Sequence, residues 1–174
     1  QAFGLPLVIG EAKTPSRSAV IWFDGAYQIH QIYEKEAPAM FVPNVFSFAT
    51  EGKRYRYGAI RMPLDLWGPW RDEDHQEEGQ LHHVKATVQS MLRPQVVLDI
   101  MQNFTLFATD KKHRRIKIIC RYQQYETTNK IVARVVGGYP KKGLIWHFQG
   151  SGKSLLMVFA AQKLRLHPEL ATPR

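Results

Sequence analysis

The sequence predicts an α/β protein, because short apolar runs typical of strands alternate with segments of helical spacing. The apolar run 5–13 precedes residues 18–36, in which apolar side chains recur at helical spacing. Two further strand-like runs, 41–49 and 53–61, are joined by Thr-Glu-Gly and indicate a hairpin. Near the other end, the run 144–148 leads through a glycine-rich loop into a helical segment. Strands and helices are therefore mixed along the whole chain.

The intervening elements follow from periodicity and from turn-forming residues. Four are expected: helices at 81–92, 95–103 and 121–136, and a strand at 116–120. Residues 63–80, rich in Pro, Gly, Trp and acids, are expected to form an ordered loop. Lys111–Arg115 is expected to turn the chain before the short strand, and Gly137-Gly138-Tyr139-Pro140 to end the last helix. No internal repeat is evident, so the sequence does not predict a repeat array.

The composition favours a polyanionic partner. The 174 residues carry a net charge of +9, with 44% hydrophobic and 22% charged residues, which suits one domain or one and a half. Nucleic acid is the first candidate, and a merely solubilising excess is the alternative. The charge is dense at Lys53–Tyr57 and Lys111–Arg115. Aromatics alternate with cations in the first stretch, as on surfaces that bind single strands or backbone, but also as on ordinary exposed strands.

The cysteine count and the hydropathy of the sequence indicate in which cell compartment the protein is expected. The single cysteine, Cys120, excludes an internal disulfide and favours a reducing compartment, so a cytoplasmic protein is expected. No run of about 20 apolar residues is present, which predicts no membrane span and no membrane partner. The chain begins without a charged and apolar leader and without Met, which suggests a segment of a longer protein.

A glycine-rich loop ahead of a helical run is the strongest motif. Gly150 and Gly152 let the backbone curl so that its N–H groups point at phosphate oxygens, and the following helix adds its dipole. The residues expected to bind ATP are Gln149, Gly150, Ser151, Gly152, Lys153 and Ser154, with the Ser154 hydroxyl on Mg²⁺. The general pattern has Gly where this chain has His147, a relaxation found in many helicase-type motors. A Gly-Ser linker is the alternative, and the apolar flanks argue against it.

A second motif, Glu11-Ala12-Lys13, closes the first apolar run. Strand alternation puts Glu11 and Lys13 on one face of a sheet. A carboxylate beside a lysine at a strand end is the arrangement of Mg²⁺-dependent nucleases, in which the carboxylate holds the metal and the lysine orients water. An exposed ion pair is the alternative. A complete site needs another acid, which is expected upstream.

Several segments, in order along the chain, resemble one family. They are Gly-Leu-Pro-Leu-Val-Ile-Gly-Glu-Ala-Lys-Thr-Pro (4–15), Tyr33 with Ala37-Pro38 and Phe41-Val42-Pro43-Asn44, Thr50-Glu51-Gly52 with Tyr57-Gly58, Trp67-Gly68-Pro69-Trp70, 116–135 and 143–158. The sequence is similar to the restriction (motor) subunit of type I restriction-modification enzymes. The segment 143–158, with its Ile-Trp-His lead into the loop, is the most specific of these matches.

The resemblance implies a fold and site roles. It implies a PD-(D/E)xK nuclease-like mixed sheet flanked by helices over 1–105, followed at 106–174 by the start of a RecA-like superfamily 2 helicase domain. Glu11 would be the catalytic, Mg²⁺-binding carboxylate and Lys13 the catalytic lysine. Many members carry Gln-x-x-x-Tyr on the next helix. Four residues before Tyr33 this chain has Ile29, with Gln28 and Gln31 on either side, so the motif is broken. The expected supports for DNA binding are Tyr33 and one of these two glutamines.

The resemblance extends to the adenine-reading motif and to partners. Arg121-Tyr122-Gln123-Gln124 is similar to the glutamine motif of superfamily 2 helicases, with Arg121 and Gln124 as the expected nucleotide contacts. A polar helix start is the alternative. The implied activity is ATP-dependent translocation coupled to Mg²⁺-dependent cleavage of double-stranded DNA. The implied partners are the modification (methyltransferase) and specificity subunits.

Two other functions remain open on the sequence. One is a non-catalytic nucleic-acid-binding module, in which Glu11 and Lys13 form a simple ion pair. The other is a standalone P-loop NTPase or kinase. The sequence has no acidic pair after the glycine-rich loop, which argues against a standalone NTPase. Because the second nuclease acid is also expected upstream, the 174 residues alone are predicted to be inactive.

Overall fold

The chain forms two compact units, residues 1–119 and 120–174. The computed structural model describes residues 4–14, 21–70 and 79–170. Residues 18–20 of the predicted helix and 71–78 of the predicted loop lie outside the described residues. The division after Ile119 assigns the strand pair that ends there to the first unit, whereas the proposed functional boundary lies at residue 105.

The first unit is a mixed α/β structure, as predicted. Its strands are β1 (Val8–Ala12), β2 (Phe46–Thr50), β3 (Tyr55–Gly58), β4 (Thr105–Thr109) and β5 (Arg115–Ile119). Its helices are α1 (Trp22–Gln28), a π-helical turn (Ile29–Tyr33), α2 (Glu34–Glu36), α3 (Leu81–Met91) and α4 (Pro94–Asn103), with 3₁₀ turns at Pro38–Phe41 and Leu64–Leu66. In the main sheet, β1 pairs in parallel with β2, which pairs in antiparallel with β3.

Both faces of this sheet are covered, and glycine makes one contact possible. A buried cluster of Ala26, Ile29, Phe41, Ala49 and Trp67 fills the space on the α1 side. On the opposite side the Phe48 ring lies so close to β1 that a Cβ at Gly10 would overlap it. That close contact fixes the course of β1 directly before Glu11, which starts the candidate site.

Two local predictions in the first unit needed correction. The strand predicted from residue 41 begins at Phe46, because Pro38–Phe41 forms a 3₁₀ turn and Pro43 has no N–H to donate to a ladder. Strand β4 was not predicted, because its five residues carry no alternation that separates them from the end of α4. It pairs with β5 in antiparallel register from Thr105–Ile119 to Thr109–Arg115.

The second unit is helical in the part that the structure describes. Helix α5 spans Tyr122–Gly137 and ends at Gly138 in the left-handed conformation, and helix α6 spans Lys153–Arg165, both as predicted. The strand predicted at 144–148 is wrong, because these residues form no strand. No described strand of this unit offers a ladder partner, and a strand needs one to satisfy its backbone groups. Among the described residues, no helix is long and apolar enough to cross a membrane.

Candidate functional site

The predicted pair at the end of β1 is formed. The Lys13 Nζ donates to Glu11 Oε1 at 2.9 Å, and the side chains of Lys13 and Glu11 are 23% and 21% exposed. Lys13 N also donates to Thr50 O at 2.8 Å, which continues the parallel ladder past Ala12 and holds the lysine backbone in place. The pair therefore lies at the carboxyl end of a parallel strand pair, half-buried and rigidly mounted.

Helix α1 crosses the sheet beside this pair. A Cβ at Gly25 would lie 3.1 Å from Glu11 Cγ and 3.3 Å from Ala49 Cβ, so glycine lets the helix approach the sheet closely. Gln28, at the end of α1, accepts a hydrogen bond from Lys13 Nζ through its Oε1. Tyr33 OH donates to Glu11 Oε2 at 3.2 Å. The helix thus supplies one partner for each member of the pair.

The structure explains how Gln28 and Tyr33 both reach the pair despite their spacing of five. In a regular α-helix, residues five apart point about 140° away from each other. Here Ile29–Tyr33 is a π-helical turn, whose wider i→i+5 spacing absorbs one residue and brings both side chains to the same face. Gln28 and Tyr33 therefore both contact the Glu11–Lys13 pair although the sequence spacing of the motif is not met. Gln31 turns away and accepts from Lys35 Nζ at 2.7 Å.

The surroundings of the Tyr33 phenol keep it protonated, so that it donates a hydrogen bond to Glu11. Desolvation, and next the Glu11 carboxylate, raise the pKa of the Tyr33 phenol above its ordinary value. The phenol stays protonated at neutral pH and donates to the carboxylate. Glu11 is therefore held from both oxygens, by a cation and by a neutral hydroxyl.

Sequence reasoning missed Glu51, which follows β2 directly. It is 5% exposed, and its Oε2 has no hydrogen-bond partner among the described residues. Glu51 is the next residue after Thr50, which is the parallel partner of Ala12, so it lies one residue beyond the end of the ladder that carries Glu11 and Lys13. The sequence feature that could have pointed to Glu51 is an acidic residue directly after the apolar strand that pairs with the strand of Glu11.

The donors suit a divalent metal only in part. Carboxylate oxygens are the ligands that Mg²⁺ prefers, and Glu11 supplies them at the half-buried strand end. The described residues contain no group of three or more His, Cys, Asp or Glu side chains that could hold a metal ion. Mg²⁺ keeps several waters when bound, so one or two carboxylates suffice from the protein. Glu11 fits as one ligand, and Glu51 is a buried acid that directly follows the strand paired with β1.

The glycine-rich loop has the conformation that its sequence predicts. Gly150 and Gly152 have φ of +86° and +79°, a region that favours glycine, and Gly152 leads directly into the N-terminus of α6. Lys153 Nζ donates to His147 O and Phe148 O, at 2.9 Å each, and so lies folded back over its own loop. Ser154 is exposed on the first turn of α6. The backbone N–H groups, a lysine and a hydroxyl thus meet at one helix end.

The glutamine predicted to read adenine holds the loop. Gln124 is 2% exposed, and its Oε1 accepts from Arg121 N at 2.9 Å, which closes the first turn of α5. Its Nε2 donates to Ser151 O at 3.2 Å and to Gly152 O at 3.1 Å. Gln124 therefore couples the start of α5 to the glycine-rich loop through both sides of its amide group. Gln149 is exposed at the loop entrance.

His147, the departure from the general loop pattern, has a structural use. Its Nε2 lies 3.1 Å from Thr127 Oγ1 of α5, which ties the start of the loop to that helix. The Ser151 side chain is 5% exposed, and its Oγ has no partner among the described residues. Helix α5 therefore holds the loop at both ends, through Thr127 and Gln124.

Two kinds of known protein are similar to this chain, one over residues 123–174 and the other over nearly its whole length. The SWI2/SNF2 ATPase family model matches residues 123–174, which include Gln124 and the glycine-rich loop. The type I restriction enzyme HindI endonuclease subunit of Haemophilus influenzae is 32% identical over 98% of this chain. Two putative relatives from Methanocaldococcus jannaschii, the MjaVIIIP and MjaVIIP endonuclease subunits, are 30% and 32% identical over 91% of this chain. The chain is a homologue of type I restriction enzyme endonuclease subunits.

These endonuclease subunits are much longer than the chain, which spans 17%, 16% and 15% of the three relatives. The match to the Haemophilus subunit covers 98% of the chain and so includes parts of both structural units. This chain is therefore similar to restriction endonuclease subunits over nearly its whole length and to SWI2/SNF2 ATPases at 123–174.

Proposed function

We propose that the chain is part of a type I restriction endonuclease subunit that couples ATP-dependent DNA translocation to Mg²⁺-dependent cleavage of double-stranded DNA. Residues 1–105 would belong to a PD-(D/E)xK nuclease domain and residues 106–174 to the start of a RecA-like motor domain. The observation that carries the proposal is the convergence of Gln28 and Tyr33 on Glu11 and Lys13. A simple surface ion pair does not require two helical side chains to hold it.

The nuclease chemistry follows from what each side chain can do. A bound Mg²⁺ would activate water and stabilise charge on the phosphate. Glu11 would hold the metal, with Glu51 as the second acid. Lys13 would orient water or offset the charge that develops on the phosphate. Gln28 and Tyr33 are positioning residues, because each fixes the rotamer of a catalytic side chain through a hydrogen bond.

The nucleotide chemistry would use the loop of the second unit. Backbone N–H groups at Gly150 and Gly152 would cradle phosphates, and the Ser154 hydroxyl would bind the Mg²⁺ that accompanies ATP. Lys153 would leave the carbonyls of His147 and Phe148 to reach the outer phosphates. In the complete protein, modification and specificity subunits would be the partners that select the DNA site.

The test is nicking of circular plasmid in Mg²⁺ by this chain and by a form extended upstream by one domain's worth of sequence. We expect only the extended form to nick, because the resemblance implies a further metal-binding Asp upstream, in addition to Glu11 and Glu51. We expect no DNA-stimulated ATP turnover by the 174 residues, since Glu169 is the only acid after Ser154. If neither form nicks DNA, the alternative of a non-catalytic nucleic-acid-binding module is favoured, as the net charge of +9 allows.

Gln28→Ala is expected to lower nicking by the extended form about ten-fold, the equivalent of one charge-assisted hydrogen bond of about 1.5 kcal/mol. The substitution removes the acceptor that orients Lys13 Nζ. Gln31→Ala is the matched control, because Gln31 lies on the same helical segment but contacts Lys35. Equal losses for the two variants would mean that the helix matters only for folding.

Glu51→Gln is expected to stabilise the protein in EDTA and to reduce its stabilisation by Mg²⁺. Burying a polar atom without a partner costs about 1–3 kcal/mol and more if it is charged, so the neutral amide lowers the cost without removing it. Removing a metal ligand weakens binding and so shrinks the Mg²⁺-dependent rise in the melting temperature. Thermal melts with EDTA and with Mg²⁺ measure both effects. An unchanged Mg²⁺ increment would remove Glu51 from the site.

A further inference from the structure

The β4–β5 hairpin ends in a tight turn that one acid builds. Asp110 Oδ1 accepts from Lys112 N at 2.8 Å and from Arg114 N at 2.9 Å. Asp110 Oδ2 accepts from Arg114 Nε at 2.9 Å and forms an ion pair with Arg114 Nη2 at 2.8 Å. His113 takes the left-handed conformation, with φ of +58°, that the turn requires. The Asp110 carboxylate is therefore committed to the turn and to Arg114.

Three further cations of this tip have no acidic partner among the residues that the structure describes. Lys111, Lys112 and Arg115 are exposed, and none of them forms an ion pair within the described part of the chain. The Arg115 guanidinium lies 5.3 Å from the centre of the Phe107 ring, and that ring is 62% exposed. The aromatic side chain holds Arg115 against the ribbon without neutralising it. The tip thus presents three uncompensated positive charges on a fixed frame.

The shape of the hairpin suits one partner. It forms a two-stranded antiparallel sheet of its own, separate from the main sheet of the first unit. A two-stranded ribbon is one of the elements that the major groove of duplex DNA admits, and lysine and arginine at its end can reach phosphates. The basic run that the sequence predicted as a turn is therefore the tip of a two-stranded ribbon.

We propose that the β4–β5 hairpin is an arm that binds duplex DNA, with Lys111, Lys112 and Arg115 on the phosphates. The inference deepens the proposed function, since it assigns the surface by which the first unit holds the DNA. It is tested by binding instead of cleavage. If the protein binds duplex DNA but does not nick it, the proposed nuclease site is contradicted and the proposed DNA-binding hairpin is not.

The experiment measures fluorescence anisotropy of a labelled duplex with the full chain over a series of salt concentrations. Lys111→Ala/Lys112→Ala is expected to weaken binding and to lower the slope of log K against log [salt] by about 1.8, or about 0.9 for each lost phosphate contact. The matched control is Lys35→Ala/Lys85→Ala, which removes two exposed lysines elsewhere in the unit. It is expected to leave the slope unchanged.

A third variant distinguishes binding by the shaped tip of the hairpin from nonspecific attraction between the positive chain and DNA. Asp110→Ala makes the chain more positive by one charge but removes three hydrogen bonds and one ion pair that shape the tip. We expect it to bind duplex more weakly than the unchanged chain, whereas general attraction predicts tighter binding. The proposal is overturned if the unchanged chain does not bind duplex, if the control loses as much slope, if Asp110→Ala binds tighter, or if single strands bind equally well.

Discussion

Gly152→Ala is expected to destabilise the second unit by about 2–5 kcal/mol and to abolish nucleotide binding. Left-handed backbone at φ +79° costs a residue with a Cβ about 1–2 kcal/mol. The new methyl group would also overlap the Gln124 amide nitrogen. Moving that buried amide breaks its bonds to Ser151 O and Gly152 O, at about 1–3 kcal/mol for the unsatisfied group.

Gly150→Ala is the matched control for this prediction. Gly150 has a similar φ, +86°, but no heavy atom lies within 4 Å of a Cβ built there. It should show the backbone cost alone, about 1–2 kcal/mol. Hydrogen exchange of the α5 and α6 amides measures the stability of the second unit by itself, and a fluorescent ATP analogue measures binding. Equal effects of the two substitutions would show that the Gln124 contact does not hold the loop.

The sequence predicted what depends on local chemistry. Glu11 and Lys13 share a face because strand alternation requires it, and their hydrogen bond follows. The loop at Gly150 and Gly152 takes positive φ because only glycine does so without strain, and the helix after it starts at Lys153 as its periodicity indicates. These features need no knowledge of distant parts of the chain.

Features that depend on pairing or on helix register were not predictable. The choice between Gln28 and Gln31 depends on the π-helical turn at Ile29–Tyr33, which no periodicity of side chains announces. The burial of Glu51 depends on β2 lying parallel to β1, a tertiary contact. The segment 144–148 has the composition of a strand but lacks a described partner, and composition alone cannot supply one.

Glu11→Gln is expected to lower Mg²⁺-dependent nicking by the upstream-extended form by about 100- to 1,000-fold, equivalent to about 3–4 kcal/mol of transition-state stabilisation. The amide keeps the size of the carboxylate, and its oxygen can still accept from Tyr33 or Lys13, so the strand end should stay folded. It loses the negative charge that a divalent metal requires. Activity should therefore fall while the melting temperature in EDTA changes little.

The control for this substitution is Glu36→Gln, which removes the same charge from an exposed position on α2. It is expected to nick as well as the unchanged protein. Lys13→Ala should cause a loss as large as Glu11→Gln, and the double variant should lose little more, because residues that act as one unit are not additive. If each single substitution costs less than about five-fold, Glu11 and Lys13 are an ion pair of the surface, worth about 0–1 kcal/mol. The convergence of Gln28 and Tyr33 would then serve packing alone, and the basic hairpin would be the better guide to what the first unit does.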